Sequence, residues 1–233
     1  MPVEQTGLWY LISACILFVG GHLVLSHPPV RNPLREVLGK WGFRAVYSMA
    51  ALGSLVWMIT IYGTLPKTVL WHAPTFIRHG SLTVMLISIF LIVCGVTIFN
   101  PGLLEMEERG LKNGVVGILK ITRHPVSWGV ALWAVSHALA SGHLEGAIFF
   151  GSFAALSLVG ATHIDYRKSL RSGQPWREFV AATSHIPLGA IVTGRCRIEK
   201  GDFKWWQTLL SVALFLGLLF FHQAIFGKNV LPM

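Results

Sequence analysis

The chain has 233 residues, of which 53% are hydrophobic and 12% are charged, and its formal net charge is +9. Its apolar residues form long blocks without the helical or strand alternation of a soluble domain, which excludes a soluble globular fold and indicates an integral membrane protein. No separate soluble domain fits between the blocks, so residues 1–233 are expected to form one transmembrane domain.

Six apolar stretches predict an all-α, polytopic transmembrane helix bundle of about six spans. In chain order they are Leu8–Ser26, Phe43–Leu65, Gly80–Phe99, Pro125–Ser141, Leu144–Thr162 and Trp205–Phe226. The first stretch has neither a basic n-region nor a small-residue cleavage site, so we expect it to be retained as a span. Only Gly142 and His143 separate the fourth and fifth, which predicts a helical hairpin with a tight turn.

Lysine and arginine residues are concentrated in the connections after the first, third and fifth spans. Because cytoplasmic loops collect these residues, we expect both termini outside the cytoplasm. Orientation and attraction to anionic membrane lipid account for the net charge, and no nucleic-acid partner is predicted. In the longest connection, residues 163–204, we predict a short amphipathic helix around Trp176 to Ala182, with Arg177 and Glu178 toward water and Phe179 and Val180 toward lipid or protein.

Three histidines, His22, His137 and His222, fall inside apolar stretches. An ionisable side chain at bilayer depth is costly, so these residues indicate a proton path, a metal or a cofactor. Neutral imidazole is the commonest metal ligand, and haem iron is one metal that it holds. Gly20 and Gly21 precede His22, and such small residues let a flat ring or another helix approach the backbone closely. The alternative is a helix-packing glycine pair beside a hydrogen-bonded histidine.

Charged residues also flank the start of the fourth span and the end of the fifth. Pro125 suits a first helical turn, which leaves Arg123 and His124 able to meet a phosphate or carboxylate there, or to anchor the helix to lipid headgroups. Asp165 has three candidate roles: to hold Arg123, to orient His163, or to bind a cationic group. A structural salt bridge is the favoured role, because basic residues surround Asp165.

Several of these motifs, in this order, resemble the NnrU family. They are Gly21-His22, Gly42-Phe43-Arg44 through Tyr47-Ser48, Gly117-Ile118-Leu119 with Thr122-Arg123-His124-Pro125, Leu132-Trp133-Ala134 with His137, and Ile164-Asp165 with Arg167-Lys168. The resemblance covers nearly the whole chain except the sixth span. It implies a protein of the bacterial inner membrane that is associated with denitrification, in nitrite and nitric oxide reduction.

The family's plant relative, the zeta-carotene isomerase, is a haem b protein, and the resemblance therefore implies haem b here. The positions similar to its haem-ligating histidines are His22 and His137, and Arg123, His124 and Asp165 are expected to contribute to cofactor binding. Two departures stand out. Ala134 replaces a cysteine that takes part in ligation, and Leu156 and Ser157 replace histidines of the next span, so carotenoid isomerisation is the less favoured use of the site.

The depths of the two histidines conflict with a shared haem. Counted from the cytoplasmic ends at 1.5 Å per residue, His22 lies about 6 Å deep and His137 about 20 Å deep. Either the haem is tilted, the span edges are misplaced by about a turn, or only one of the two binds iron and the other orients a propionate or a substrate. His124 and His163 are alternatives to His22 as ligands, and His222 is an alternative to His137.

Three functions are consistent with these residues. The first is a haem b membrane protein that serves nitrogen-oxide metabolism as a redox, sensing or accessory component, with an electron-transfer or reductase partner. The second is an S-adenosylmethionine-dependent small membrane methyltransferase, which the chain resembles through Arg123-His124-Pro125, Gly129 and the run from Asp165 to Pro187, although Asp165 stands alone where those enzymes have two glutamates. The third is a non-catalytic assembly factor whose histidines are merely packed.

Overall fold

The structure, a computed structural model, describes residues 3–103, 106–228 and 230, with side chains from residue 6 onward. Its helices are α1 (Val3–Ser26), α2 (Pro28–Thr64), α3 (Thr75–Val96), α4 (Glu107–Asn113), α5 (Pro125–Ser141), α6 (Leu144–Ser169), α7 (Gly173–Ala182), α8 (Gly189–Val192) and α9 (Trp205–Phe226), with a 3-10 turn at Gly117–Lys120. Five of them, α1, α2, α3, α6 and α9, are long and apolar enough to cross a membrane. The 17 residues of α5 rise about 26 Å, slightly less than a hydrocarbon core of about 30 Å. The predicted all-α bundle of about six spans is confirmed.

A break in α2 separates its membrane-spanning part from a shorter leading segment. Gly39 has φ 68° and ψ 177°, a conformation that suits glycine and interrupts the helix. The guanidinium of Arg31 lies 5.8 Å from the ring of Phe43, whereas twelve residues of straight helix would separate them by about 18 Å. Residues 28–38 therefore fold back beside the start of the span, and the span itself begins close to its predicted start.

The turn between α5 and α6 closes the predicted helical hairpin. Gly142 adopts the left-handed conformation (φ 66°), and a Cβ atom there would overlap the carbonyl oxygen of Trp71. The connection that follows α2 pairs with this turn: the amide of Leu70 donates to the Gly142 carbonyl (2.8 Å), and the amide of Leu144 donates to the Thr68 carbonyl (3.0 Å). These bonds fix the tip of the hairpin at the end of the bundle where α5 finishes and α6 begins.

Helix α6 lies at the centre of the bundle. It packs against both α1 and α5, while α2 packs on α1, α3 on α5, and α9 on α3. Phe149 of α6 joins Leu11 and Phe18 of α1 and Met58 of α2 in one buried cluster. We call the end at which α1 and α6 finish and α5 begins the basic end. Because α6 contacts both α1 and α5, it contacts both helices that carry the predicted haem ligands.

The predicted amphipathic helix is also confirmed, as α7. Trp176 and Phe179 are buried against Leu119, while Arg177 and Glu178 are exposed. The apolar face of α7 therefore packs on protein, which was one of the two alternatives for Phe179.

Candidate functional site

A carboxylate network occupies the basic end, where the end of α6 meets the start of α5. The Asp165 carboxylate accepts hydrogen bonds from Arg123 Nε (2.9 and 3.0 Å) and Nη2 (2.6 Å), and from His124 Nε2 (2.8 Å). A third donor, Nδ1 of His185, lies 3.4 Å away. The side chains of Arg123 and Asp165 are 12% and 19% exposed, and that of His124 is 1% exposed. The predicted salt bridge between Asp165 and Arg123 is confirmed.

Backbone hydrogen bonds hold these side chains in place. The Arg123 amide donates to the Ser184 carbonyl (2.9 Å). The Thr122 hydroxyl and the Trp128 indole N–H both donate to the His185 carbonyl, each at 2.8 Å. The segment that carries His185 is therefore hydrogen-bonded to residues before and after His124. The network joins α5, α6 and the segment after α7.

Burial lowers the pKa of the His124 imidazole, although the neighbouring Asp165 carboxylate opposes this shift. His124 is therefore neutral at pH 7, and its Nε2–H is the proton that it donates to Asp165. Arg123 and Asp165 form the ion pair of the network, and the neutral His124 adds a hydrogen bond to it.

His124, Asp165 and His185 also offer three ligand atoms within 4.8 Å of one another. A divalent cation would have to share the carboxylate with the guanidinium of Arg123, which already engages both oxygens and neutralises its charge. The arrangement therefore fits a structural ion-pair network better than a metal site. The same bonds leave Asp165 poorly placed to receive the cationic sulfonium of S-adenosylmethionine.

A second feature is an apolar cleft of about 430 Å³ between α1 and α2. His22 and Tyr47 lie on its walls, with their rings 5.6 Å apart. The α1 wall combines the small residues Gly20 and Gly21 with larger aliphatic side chains, and the α2 wall is otherwise small. The aliphatic residues are Leu17, Val24 and Leu25, and those on α2 are Ala50, Ala51 and Ser54. A Cβ atom at Gly20 or Gly21 would meet nothing within 4 Å, so the two glycines border open space and not a packed helix. The cleft therefore has an apolar lining with open space beside its two glycines.

The imidazole of His22 is oriented by its own helix. Its Nδ1 lies 2.6 Å from the Phe18 carbonyl oxygen, and because a carbonyl only accepts, Nδ1 carries the proton. Its Nε2 then has a lone pair and makes no hydrogen bond to any residue that the structure describes. This is the arrangement found in metal-ligating histidines, whose second nitrogen donates to a carbonyl or carboxylate.

His137 on α5 is oriented in the same way, with Nδ1 2.8 Å from the Trp133 carbonyl oxygen. Its surroundings differ, because its ring packs against Trp133 and Phe150, each at a centroid distance of 5.1 Å. His137 thus lies among aromatic side chains, whereas His22 lies on an open cleft.

The structure does not bring His22 and His137 together. A chain of ring contacts connects them: His22 to Phe18 (4.6 Å), Phe18 to Phe153 (5.2 Å), Phe153 to Trp133 (5.3 Å) and Trp133 to His137. His22 lies one turn beyond Phe18 toward the basic end, and His137 packs on Phe150, one turn from Phe153 in the other direction. Their heights therefore differ by about 10 Å, whereas two axial nitrogens on one metal lie about 4 Å apart. The difference has the same direction as the one calculated from the sequence, about 14 Å, and is smaller.

Comparison with known proteins identifies the family. A family model described as NnrU protein matches residues 10–230, nearly the whole chain. The chain belongs to the NnrU family. The NnrU match contains α5, α6, the Asp165 network, the cleft and both predicted ligand histidines.

Two plant proteins share part of this NnrU chain. The 15-cis-zeta-carotene isomerase of Arabidopsis thaliana is 33% identical over 116 residues, which are 48% of this chain and 32% of that protein. The chloroplastic enzyme of the same name from Zea mays is 33% identical over 109 residues, 46% of this chain and 30% of that protein. The chain thus spans about a third of the length of the curated relatives it matches. No solved structure matches it.

His185 is the member of the NnrU chain's network that sequence reasoning missed. It follows Ser184 in a connection of no recognisable spacing motif, and only the path of the chain after α7 brings it to Asp165. A second buried ion pair was missed too: Lys120 Nζ lies 3.0 Å from Asp202 Oδ2, with side chains 11% and 9% exposed. Of the five predicted site residues, the structure joins Arg123, His124 and Asp165, and it places His22 and His137 apart from them and from each other.

Proposed function

We propose that this chain is a haem b-binding membrane protein with isomerase-like activity on an apolar ligand, and that His22 is its iron ligand in the cleft between α1 and α2. The observation that carries the proposal is the Nε2 of His22, which has no hydrogen-bond partner among the described residues and belongs to a ring on an apolar cleft beside Gly20 and Gly21. The matched relatives, named as zeta-carotene isomerases, support the activity class.

The residues present suit a flat, largely apolar cofactor. A planar ring system has room to lie against both helices. One wall of the cleft has open space beside Gly20 and Gly21, and the other has the small side chains of Ala50 and Ala51. The volume of about 430 Å³ falls within the range of small-molecule sites. Haem iron held by one histidine keeps a coordination position for a further ligand, which suits catalysis or sensing more than simple electron transfer.

The protein's own residues have separate tasks in this proposal. The Phe18 carbonyl fixes the tautomer and direction of the His22 ring. Tyr47 packs edge-on against that ring from α2 and limits its rotation. Phe18 packs against the His22 ring, and Phe153 and Trp133 continue this aromatic packing toward α5. The Asp165 network fixes α5 and α6 relative to each other at the basic end, so its role is structural.

A component of nitrogen-oxide metabolism is the second candidate function. This function needs the same haem, with a diatomic gas as the ligand in place of an apolar substrate. One observation favours it. Ala134, Leu156 and Ser157 occupy the positions at which the isomerase has a cysteine and histidines. The protein would then bind nitric oxide and leave carotenoids unchanged.

A cleft-filling variant tests the shared haem proposal. Gly21→Leu places a side chain in the slot, while Gly53→Leu places the same side chain on an exposed position of α2. We expect haem-supplemented expression to give about one haem per chain in wild type and in Gly53→Leu, and much less in Gly21→Leu. Equal haem content in the two variants would refute the cleft as the site. Two assays on the haem-loaded protein then separate the two candidate functions. Conversion of 15-cis-zeta-carotene would support the first, and a nitric oxide difference spectrum without such conversion would support the second.

A further inference from the structure

Four arginines crowd together at the basic end, on the side of α1 and α2. Arg31 and Arg35 lie on residues 28–38, Arg167 lies near the end of α6, and Arg171 follows that helix. Arg31 is close enough to be repelled by the other three, and Arg167 by Arg171. Among the described residues, none of the four forms a salt bridge with a carboxylate. Within the described part of the chain, no carboxylate is therefore bonded directly to this concentration of positive charge.

The nearest carboxylate is already engaged. Glu107 attracts Arg167 electrostatically, but its oxygens accept hydrogen bonds from Lys168 Nζ and from the Ser172 hydroxyl. Among the described residues, the carboxylate of Glu107 is therefore occupied by Lys168 and Ser172 and not by the four arginines.

Arg167 is the most constrained of the four. Its Nε is buried and has no hydrogen-bond partner among the residues that the structure describes, and its Nη1 donates to the Ser26 carbonyl at 3.4 Å. A buried N–H of a charged group without an acceptor is costly, and such a group indicates a site for an acceptor from outside the chain. The acceptor must be an anion, since it has to offset several positive charges as well.

Two histidines lie beside the arginines and bond to each other. His27 Nδ1 lies 3.3 Å from His163 Nε2, and Ser26 Oγ lies 3.3 Å from His163 Nδ1. Arg167 is close enough to His163 to interact with it electrostatically. The whole cluster lies at the ends of membrane-spanning helices, the level at which lipid headgroups are found.

We propose that Arg31, Arg167 and Arg171 bind the phosphate of an anionic lipid in the leaflet at the basic end. Guanidinium groups match phosphate oxygens with paired, charge-assisted hydrogen bonds, which ammonium groups do not. Residues 28–38 fold back at Gly39 and bring Arg31 to the cluster from α2, so the bound phosphate would join α2 to α6. The proposal does not depend on haem, because the residues involved are outside the set that lines the cleft.

The test is native mass spectrometry of the full chain in detergent, titrated with dioleoyl phosphatidic acid, dioleoyl phosphatidylcholine or inorganic phosphate. The variant Arg167→Gln/Arg171→Gln removes two donors, and the control Arg177→Gln/Arg197→Gln removes the same charge from two exposed arginines. We expect the dissociation constant for phosphatidic acid to rise at least about tenfold in the first and to change less than about twofold in the second. Wild-type protein should bind phosphatidylcholine far more weakly.

Equal effects in both double variants would mean non-specific charge attraction and would overturn the site. Inorganic phosphate that binds as tightly as phosphatidic acid would overturn the lipid assignment, because the acyl chains would then contribute nothing. Arg171 is exposed, so Arg171→Gln alone should fold normally. If the double variant does not fold, unchanged lipid affinity in Arg171→Gln refutes the proposal, and a severalfold loss supports it.

Discussion

Replacement of Asp165 by asparagine should destabilise the bundle more than any other change of a single charge at the basic end. The substitution keeps the size of the side chain, removes its charge, and turns one acceptor oxygen into a donor that faces Arg123 or His124. Removal of one partner of a buried ion pair costs about 3 to 5 kcal/mol. Because Asp165 is 19% exposed, solvent offsets part of this loss, and we expect about 3 kcal/mol.

For a chain of this length, each kcal/mol shifts the melting temperature by about 2 to 4 °C, so Asp165→Asn should lower it by about 6 to 12 °C. The assay is tryptophan-fluorescence melting of detergent-purified protein at one fixed scan rate. Glu108→Gln is the matched control, because Glu108 pairs with Lys112 on the surface and should leave the melting temperature unchanged.

A double variant tests whether the loss comes from an unpaired guanidinium. Arg123→Gln/Asp165→Asn removes both charges, so its loss should be smaller than the sum of the two single losses by at least about 1 kcal/mol. A single Asp165→Asn variant that melts like Glu108→Gln, or two single losses that simply add, would refute the network as a joint between α5 and α6.

Three further predictions concern stability and are measured by the same melting assay. Gly142→Ala should lower the free energy of unfolding by at least about 2 kcal/mol, because alanine resists the left-handed conformation and its Cβ overlaps the facing backbone. Gly151 borders open space, so Gly151→Ala is the control and should leave the free energy unchanged. Equal melting temperatures in the two variants would contradict this prediction. Burial lowers the pKa of His124, so the folded chain binds fewer protons than the unfolded chain just below pH 6.5. Stability should therefore fall as the pH drops below that value, and His124→Gln should flatten this dependence. An unchanged slope in His124→Gln would count against the prediction. Asp202→Asn should lower the free energy of unfolding by about 1 to 3 kcal/mol, because the carboxylate accepts a hydrogen bond from Lys120. A loss no larger than that of the Glu108→Gln control would show that this pair contributes nothing.

Helix boundaries could be predicted where the chain contains strong backbone signals. Pro125 begins α5 and Gly142 follows its last residue, and these are the residue types that favour a helix start and a helix end, so both predicted edges agree with the structure. The pairing of Arg123 with Asp165 could also be predicted, since few acids lie near the many basic residues at the end of a span.

Other features depend on contacts between distant segments. The break at Gly39 has no proline or turn motif beside it, and only the folded position of residues 28–38 reveals it. His185 reaches Asp165 because the segment after α7 returns to α5, a path that local sequence does not specify. The separation of His22 from His137 depends on how α1 and α5 each pack on α6, although the depth calculation from span edges already indicated it.

The role of His22 as iron ligand is tested most directly by the reduced-minus-oxidised visible spectrum of protein purified after haem-supplemented expression. His79 is the matched control, because it is exposed on α3 and its Nδ1 makes the same bond to a helix carbonyl, with Thr75 at 2.9 Å. We expect Soret and alpha bands in wild type, in His79→Ala and in His137→Ala, and their loss in His22→Ala. Unchanged bands in His22→Ala, or wild-type protein that is folded but colourless, would contradict the account.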